Sequence, residues 1–295
     1  MGSPENNNLV WLPIVLGVMI IAIFLSGLFA PKGWNWALVM LFMIVCFALI
    51  GKLTRGRYSG ILISERNKMT LSRFQLVIWT LIVLSAFLTF ALVRINAGIG
   101  DPLKIDLPKQ LWELLGISTT SLVGSPLILS TKIPKKQTKS ATHEEAMKLI
   151  NKDPDKLKIL EDARKPVDST TSGPAKADAA KKAAEEVIAN AEEIVNKFGL
   201  LASNEKPEEA KFSDMFMGDE KGNKDFIDMA KVQMFFFTLI IAFSYMVLLV
   251  NLIMTAQPSG LGSFPVLTDS VVALLGISSA GYLTNKTYDK TQTQK

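Results

Sequence analysis

Six apolar blocks separated by polar segments dominate the pattern along the chain. They cover residues 9–30, 34–51, 74–93, 111–130, 232–256 and 265–284. A helix needs about 20 apolar residues to cross roughly 30 Å of hydrocarbon. The pattern therefore predicts an all-α, polytopic transmembrane bundle of about six spans. The fourth and sixth blocks are less apolar than the others, because each includes an acidic residue, Glu113 or Asp269.

Basic residues are concentrated in alternate connections between the predicted spans. Lys and Arg side chains are frequent in residues 52–73, 131–139 and 286–295, and sparse in residues 31–33, 96–110 and 257–269. By the positive-inside rule, the basic connections and both termini lie in the cytoplasm. The net charge of +5 thus belongs mainly to helix ends beside a lipid bilayer. It does not indicate a nucleic-acid partner.

This topology divides the chain into five regions. They are an N-terminal transmembrane hairpin (1–55), a transmembrane repeat (70–131), a mainly helical cytoplasmic insertion (132–228), a second repeat (229–286) and a cytoplasmic tail (287–295). In the insertion, the clearest predicted helix covers residues 175–198. Its apolar stripe consists of Val187, Ala191, Ile194, Val195 and Phe198. The stripe needs a partner, which is a neighbouring helix, a second subunit or another protein.

The two predicted repeats share short sequence runs in the same order. The segment around Gln75 and Thr80 aligns with the segment around Gln233 and Thr238, and Leu-Leu-Gly-Ile-Ser at 114–118 recurs at 274–278. Such self-similarity predicts an internal duplication of two helices. Both copies begin on the same side of the membrane, so the repeats are parallel rather than inverted.

Small residues recur every four positions in the second helix of each repeat. The candidates for helix packing or pore lining are Gly116, Ser118, Thr120, Gly124, Gly276, Ser278 and Ala280. Small side chains let helix backbones approach closely in lipid. Two interpretations stay open at this point: a tight helix crossing within one subunit, or helices that line a pore or a contact between subunits.

Four polar residues within or beside the spans are further candidates. Gln75 and Gln233 are predicted to be buried amides whose partners lie near Ser125 and Asn285. Two acidic residues, Glu113 and Asp269, lie near the outer ends of their helices. They suit either an acidic ring at a cation entrance or local roles at helix N-termini.

The sequence offers little for catalysis or cofactor binding. His143 is the single histidine and lacks the second His of a zinc-protease helix, and no phosphate-binding loop sequence occurs. The lone Cys46 lies inside an apolar block, which excludes an intrachain disulfide. We therefore expect no enzyme activity, no cofactor and no metal site.

Three sequence runs carry a resemblance to a known group of proteins. They are Ser-Arg-Phe-Gln-Leu-Val-Ile-Trp-Thr at 72–80, the run from Leu111 to Pro126, and Leu-Leu-Gly-Ile-Ser-Ser-Ala-Gly-Tyr-Leu-Thr-Asn-Lys at 274–286. These runs resemble bacterial integral membrane proteins with SRFQ..WT and LLGIS repeats, a family without an assigned activity. The resemblance implies a bacterial inner-membrane location and transfers no functional residue.

Two hypotheses of function follow from these features. The first is an oligomeric, channel-like or pore-forming membrane protein, supported by the repeats and the small-residue faces. The alternative is a membrane scaffold that recruits a cytoplasmic protein through its helical insertion. The expected partners are the lipid bilayer, further copies of the chain and, for the scaffold, that cytoplasmic protein.

Overall fold

A computed structural model describes residues 7–135, 138–164 and 174–291. In this part of the chain, nine α-helices and four short 3-10 turns form, and there are isolated β-bridges but no strands. The all-helical prediction is confirmed. In chain order the helices are α1 (Asn7–Phe29), α2 (Trp34–Arg55), α3 (Leu71–Asn96), α4 (Lys109–Ser130), α5 (Lys139–Ile150), α6 (Pro154–Arg164), α7 (Pro174–Asn196), α8 (Met229–Thr255) and α9 (Asp269–Thr287).

Five of these helices are long and apolar enough to cross a membrane. They correspond to the first five predicted spans, and their bounds are Trp11–Phe29, Trp34–Arg55, Leu71–Asn96, Lys109–Ser130 and Met229–Thr255. A helix, α9, also forms over the sixth block, but it is not among the five. Asp269, Asn285 and Lys286, together with several hydroxyl residues, make it more polar. The sixth span stays a prediction.

The chain forms two compact units, which differ from the predicted regions. Unit 1 contains Met1–Pro126, Ser203–Gly218 and Asp225–Thr287; unit 2 contains Leu127–Ala202, Asp219–Lys224 and Tyr288–Lys295. The predicted insertion at 132–228 is therefore divided between the units, and most of the tail at 287–295 belongs to unit 2. Residues 1–6 of the predicted hairpin and residues 292–295 of the predicted tail lie outside the described residues.

Three apolar clusters hold the helices of unit 1 together. The largest centres on α3 and α8, where Trp79, Phe90, Tyr245 and Leu249 are fully buried, and it includes apolar residues of α4 and α9. Another joins α1 to α2 around Val39. The third lies at one end of α3, α8 and α9. Most apolar side chains of α1 are exposed on the surface of the unit. Such side chains suit contact with lipid tails.

Helices of unit 1 that follow one another in the chain run in alternating directions. At one end, Lys32 Nζ donates a hydrogen bond to the Ala256 carbonyl at 2.8 Å, and the Asp106 N–H donates to the Gly262 carbonyl at 2.8 Å. The connections α1–α2, α3–α4 and α8–α9 therefore meet at this end. At the opposite end, Asn285 near the end of α9 donates to Asp228, the residue before α8. This alternation agrees with the predicted topology.

Residues 203–218 pack on unit 1, which corrects their assignment to a separate insertion. Arg57 in the α2–α3 connection donates hydrogen bonds to the carbonyls of Pro207, Glu208 and Ala210 at 2.7 to 3.0 Å. Met215 is fully buried in a cluster with residues of α3, α8 and α9. The burial of apolar side chains against the helix ends explains the assignment, and sequence position alone does not reveal it.

Unit 2 contains the helices α5, α6 and α7. Helix α7 begins at Pro174, one residue before the predicted start, and its residues Ala184, Ala191 and Val195 are buried against α5 and α6. Helices of the same unit thus cover most of the apolar stripe. Of its five residues, Ile194 is the one with an exposed side chain. His143 lies on the surface of α5, where its Nδ1 is 2.9 Å from a Glu192 carboxylate oxygen.

A buried ion pair fixes the described part of the C-terminal tail in unit 2. Lys132 Nζ donates to Glu220 Oε1 at 2.5 Å and to the Tyr288 carbonyl at 2.6 Å. The second oxygen of Glu220 accepts a hydrogen bond from the backbone N–H of Lys290 at 2.7 Å. Nearby, a hydrogen bond from Lys135 lowers the pKa of Asp289 below its usual value. These contacts connect three segments that are distant in the sequence.

Lys221 supports the end of α7 in the same unit. Its ammonium group donates to the carbonyls of Val195 and Gly199 at 2.6 and 2.7 Å. Carbonyl oxygens at a helix C-terminus lack partners within the helix and favour a cation. Burial lowers the pKa of Lys221 to about 8, the largest effect, with a smaller opposing effect from Glu145. The contact therefore involves a side chain that is still mainly protonated at neutral pH.

Candidate functional site

Helix α4 has two faces of different character. Ser118, Ser121 and Ser125 are buried on one face, whereas Gly116 and Thr120 are exposed on the other. The spacing of three and four residues places the serines in a row along the helix. The small residues of α4 thus form two sets. The interior set consists of the three buried serines, and the surface set consists of Gly116 and Thr120.

The interior set belongs to a polar row in the middle of unit 1. The hydroxyl groups of Ser121 and Ser279 share a hydrogen bond, which joins α4 to α9. Tyr282 Oη lies 3.0 Å from Ser72 Oγ and 3.4 Å from Ser125 Oγ. Hydroxyl groups from α3, α4 and α9 therefore meet inside the bundle.

Among the described residues, three buried polar side chains on α3 and α9 have no hydrogen-bond partner. They are Gln75 and Trp79 of α3 and Ser278 of α9, with exposed fractions of 0%, 0% and 6%. Ser278 was a candidate from the sequence, and its repeat counterpart Ser118 is also buried, donating to the Leu114 carbonyl at 3.1 Å. Gln75 is buried as predicted, but it does not bond to Ser125.

The glycines of α4 and α9 have no close backbone neighbour from another helix. A Cβ atom added at Gly116 would meet no atom within 4 Å, and one at Gly276 would meet only Ile117, at 3.7 Å. Gly124 contacts the Leu283 side chain at a similar ordinary distance. The helices therefore do not touch backbone to backbone at these glycines, and Ser121 and Ser279 join them through short side chains. The choice between packing and pore lining stays a prediction.

Several small residues of these helices are instead exposed on the surface of unit 1. On α4 they are Gly116, Thr119 and Thr120; on α9 they are Ala273, Ala280 and Gly281. Large apolar side chains are exposed beside them, Val123 and Leu127 on α4 and Leu274 and Ile277 on α9. The small residues therefore form low patches between larger exposed side chains.

Gln233 occupies a different environment from Gln75, which corrects the prediction that both are buried. It is exposed on α8, because the neighbouring residues Met234 and Thr238 face the core. Its expected partner, Asn285, donates to the Asp228 carboxylate at 2.9 and 3.0 Å instead. Matching positions in the two aligned segments thus differ in burial.

Both outer acidic candidates have local partners. Glu113 lies 3.3 Å from Lys109 one turn earlier on α4, and both side chains are substantially exposed. Asp269 begins α9 and accepts a hydrogen bond from Gln110 of α4 at 2.9 Å. Asp269 lies in the first turn of α9, where the helix dipole favours a carboxylate. The two residues thus have local contacts, and the acidic ring at a cation entrance stays a hypothesis.

Sequence reasoning missed Ser72, Ser121, Trp79 and Tyr282. A signal existed for α4, since Ser118, Ser121 and Ser125 recur at helical spacing in an apolar block. The other members become recognisable only when three helices are placed side by side. Among the described residues, no group of three His, Cys, Asp or Glu side chains could hold a metal ion.

No protein-family model, curated protein or solved structure matches the chain. The class of protein therefore has to be inferred from the length and apolar character of its helices. Five apolar helices of spanning length, which unit 1 holds together with α9, are the features of a multi-pass membrane protein.

Proposed function

We propose that the protein is an oligomeric, channel-like membrane protein whose copies associate through α4 and α9. The observation that carries the proposal is the exposed face of small residues on each of these helices. Gly116 and Thr120 on α4, and Ala280 and Gly281 on α9, have no covering element in the described part of unit 1. Small residues on the surface of a membrane helix favour close contact with another helix.

The two faces belong to neighbouring, parallel helices. Gln110 bonds to Asp269 at their first turns, and Ser121 bonds to Ser279 near their middle. One copy could therefore present both helices to the next copy, with hydroxyl groups of Thr119 and Thr120 in the contact. Thr119 donates to the Leu115 carbonyl at 2.9 Å, so its exposure leaves no donor unpaired in lipid.

The orientation in the membrane follows from charge. Arg55, Arg57, Arg66 and Lys68 lie at the end of unit 1 that carries the α2–α3 connection. This end faces the cytoplasm by the positive-inside rule. With the family resemblance, we place the protein in the bacterial inner membrane with both termini in the cytoplasm.

The scaffold alternative finds less support. Its main argument was the apolar stripe of α7, and residues such as Ala191 and Val195 of that stripe are buried within unit 2. A cytoplasmic partner would need another surface.

Ion flux through purified protein in liposomes tests the proposed activity. We expect flux above that of empty liposomes under an applied potassium chloride gradient, and its loss to background in Gly116→Leu. The larger side chain would keep neighbouring copies apart, yet nothing within one chain obstructs it, because a Cβ at this position has no atom within 4 Å.

Gly17→Leu is the matched control. Gly17 is an exposed glycine of α1, and a Cβ there also has no neighbour within 4 Å. We expect this variant to retain the wild-type flux. Absence of flux in the wild-type protein at any applied voltage, or equal loss in both variants, would contradict the proposal.

A further inference from the structure

Gln75 and Trp79 of α3 and Ser278 of α9 carry buried polar atoms without a partner, and helix geometry relates their positions. Gln75 and Trp79 are one turn apart on α3, and Ser72, a turn before them, bonds to Tyr282 of α9. Because α3 and α9 run in opposite directions, the next turn of α3 lies level with the preceding turn of α9, which contains Ser278. The hydroxyl pair of Ser121 and Ser279 lies at the same level.

The unpaired atoms form a mixed set of donors and acceptors. The amide nitrogen of Gln75, the indole N–H of Trp79 and the hydroxyl of Ser278 can donate, while Gln75 Oε1 and Ser278 Oγ can accept. A buried polar group without a partner is costly, and hydrocarbon supplies none. The site therefore needs an occupant that forms both kinds of hydrogen bond.

The chemistry of the site excludes simple ions as its occupant. A metal cation accepts no hydrogen bond and would leave the Trp79 N–H unpaired; a halide donates none and would leave Gln75 Oε1 unpaired. The helices around the site also carry no charged residue in their central turns: α3 has none between Arg73 and Arg94, and α9 none between Asp269 and Lys286. A neutral occupant fits these surroundings.

We propose that ordered water occupies this site and bonds to Gln75, Trp79 and Ser278. Buried water typically forms about three hydrogen bonds to groups that would otherwise be unpaired. Here it would extend the hydroxyl row of Ser121–Ser279 and Ser72–Tyr282–Ser125 into one hydrated polar path. The site lies within a single chain and does not depend on association between copies.

Radiolytic hydroxyl-radical labelling of the whole protein tests this proposal, because a buried side chain is oxidised only where water lies beside it. We expect oxidation of Trp79 but not of Phe90, a fully buried aromatic residue of the same helix, after correction for the intrinsic reactivity of each ring. Trp79 labelling as low as that of Phe90 would overturn the proposal.

Replacement of Gln75 identifies the water-binding group. In Gln75→Met we expect Trp79 labelling to fall to the Phe90 level, whereas Gln233→Met, at the exposed counterpart, should leave it unchanged. The melting temperature of Gln75→Met is a second test of whether water occupies the site. A dry site predicts a higher melting temperature than that of the wild-type protein, since an unpaired amide is removed. A hydrated site predicts no increase. If this variant fails to fold, labelling of the wild-type protein decides alone.

Discussion

Replacement of Lys132 by Met is expected to destabilise unit 2 by about 3–5 kcal/mol, the usual cost of removing one partner of a buried ion pair. Lys132 and Glu220 are 1% and 3% exposed, and the variant leaves the Glu220 carboxylate buried without its cation. Hydrogen exchange of the α5–α7 amides measures this loss. Exchange that proceeds through unfolding of the unit should accelerate roughly 10²- to 10⁴-fold.

Two further variants separate the buried pair from general effects of charge. Lys135→Met removes a cation that is largely exposed beside Asp289, and it should change stability by no more than about 1 kcal/mol. The double variant Lys132→Met with Glu220→Gln should be more stable than Lys132→Met alone, because no unpaired charge is left buried. Equal exchange rates in Lys132→Met and Lys135→Met would show that the pair has no structural importance.

Gly60→Ala is expected to destabilise unit 1 by about 3 kcal/mol, near the upper end for overpacking. Gly60 lies against the end of α2, and an added Cβ would come within 2.3 Å of the Gly51 carbonyl oxygen. Backbone atoms must then move, together with the nearby Arg57 that holds residues 207–210. For a unit of this size, the melting temperature should fall by roughly 6–12 °C.

Cys46 provides the readout for this variant. It is the single cysteine of the chain and is buried in unit 1, so a thiol-reactive fluorescent dye reports its exposure during heating. Gly100→Ala is the control, because a Cβ there has no neighbour within 4 Å. Its stability should change by no more than about 0.5 kcal/mol. Similar melting temperatures for the two variants would mean that Gly51 and Gly60 do not touch.

The sequence predicted helices correctly where a long apolar block is enough to specify one. The block at 74–93 became α3 and the block at 232–256 became α8, because in hydrocarbon a backbone must satisfy its hydrogen bonds within a helix. It predicted less well where contacts between distant segments decide. Residues 203–218 look like part of a soluble insertion, yet Met215 fills a gap at the end of the bundle.

The candidate site shows the same limit. Repetition of Leu-Leu-Gly-Ile-Ser pointed to Ser118 and Ser278, and both are buried in the bundle. The same reasoning wrongly paired Gln75 with Gln233, because similarity of sequence does not fix which face of a helix turns inward. Tyr282 completes the hydroxyl row only through its contacts with α3 and α4. Such contacts depend on helix rotation, which an apolar pattern on all sides leaves undetermined.

The native mass of the purified protein in mild detergent tests the central claim most directly. One chain has a mass of 32.4 kDa. Association through α4 and α9 predicts a single species whose mass is a whole-number multiple of this value, two or more. It also predicts that Gly116→Leu shifts the mass to that of one chain and that Gly17→Leu leaves it unchanged. A wild-type protein with the mass of one chain, or an oligomer unaffected by Gly116→Leu, would contradict the account.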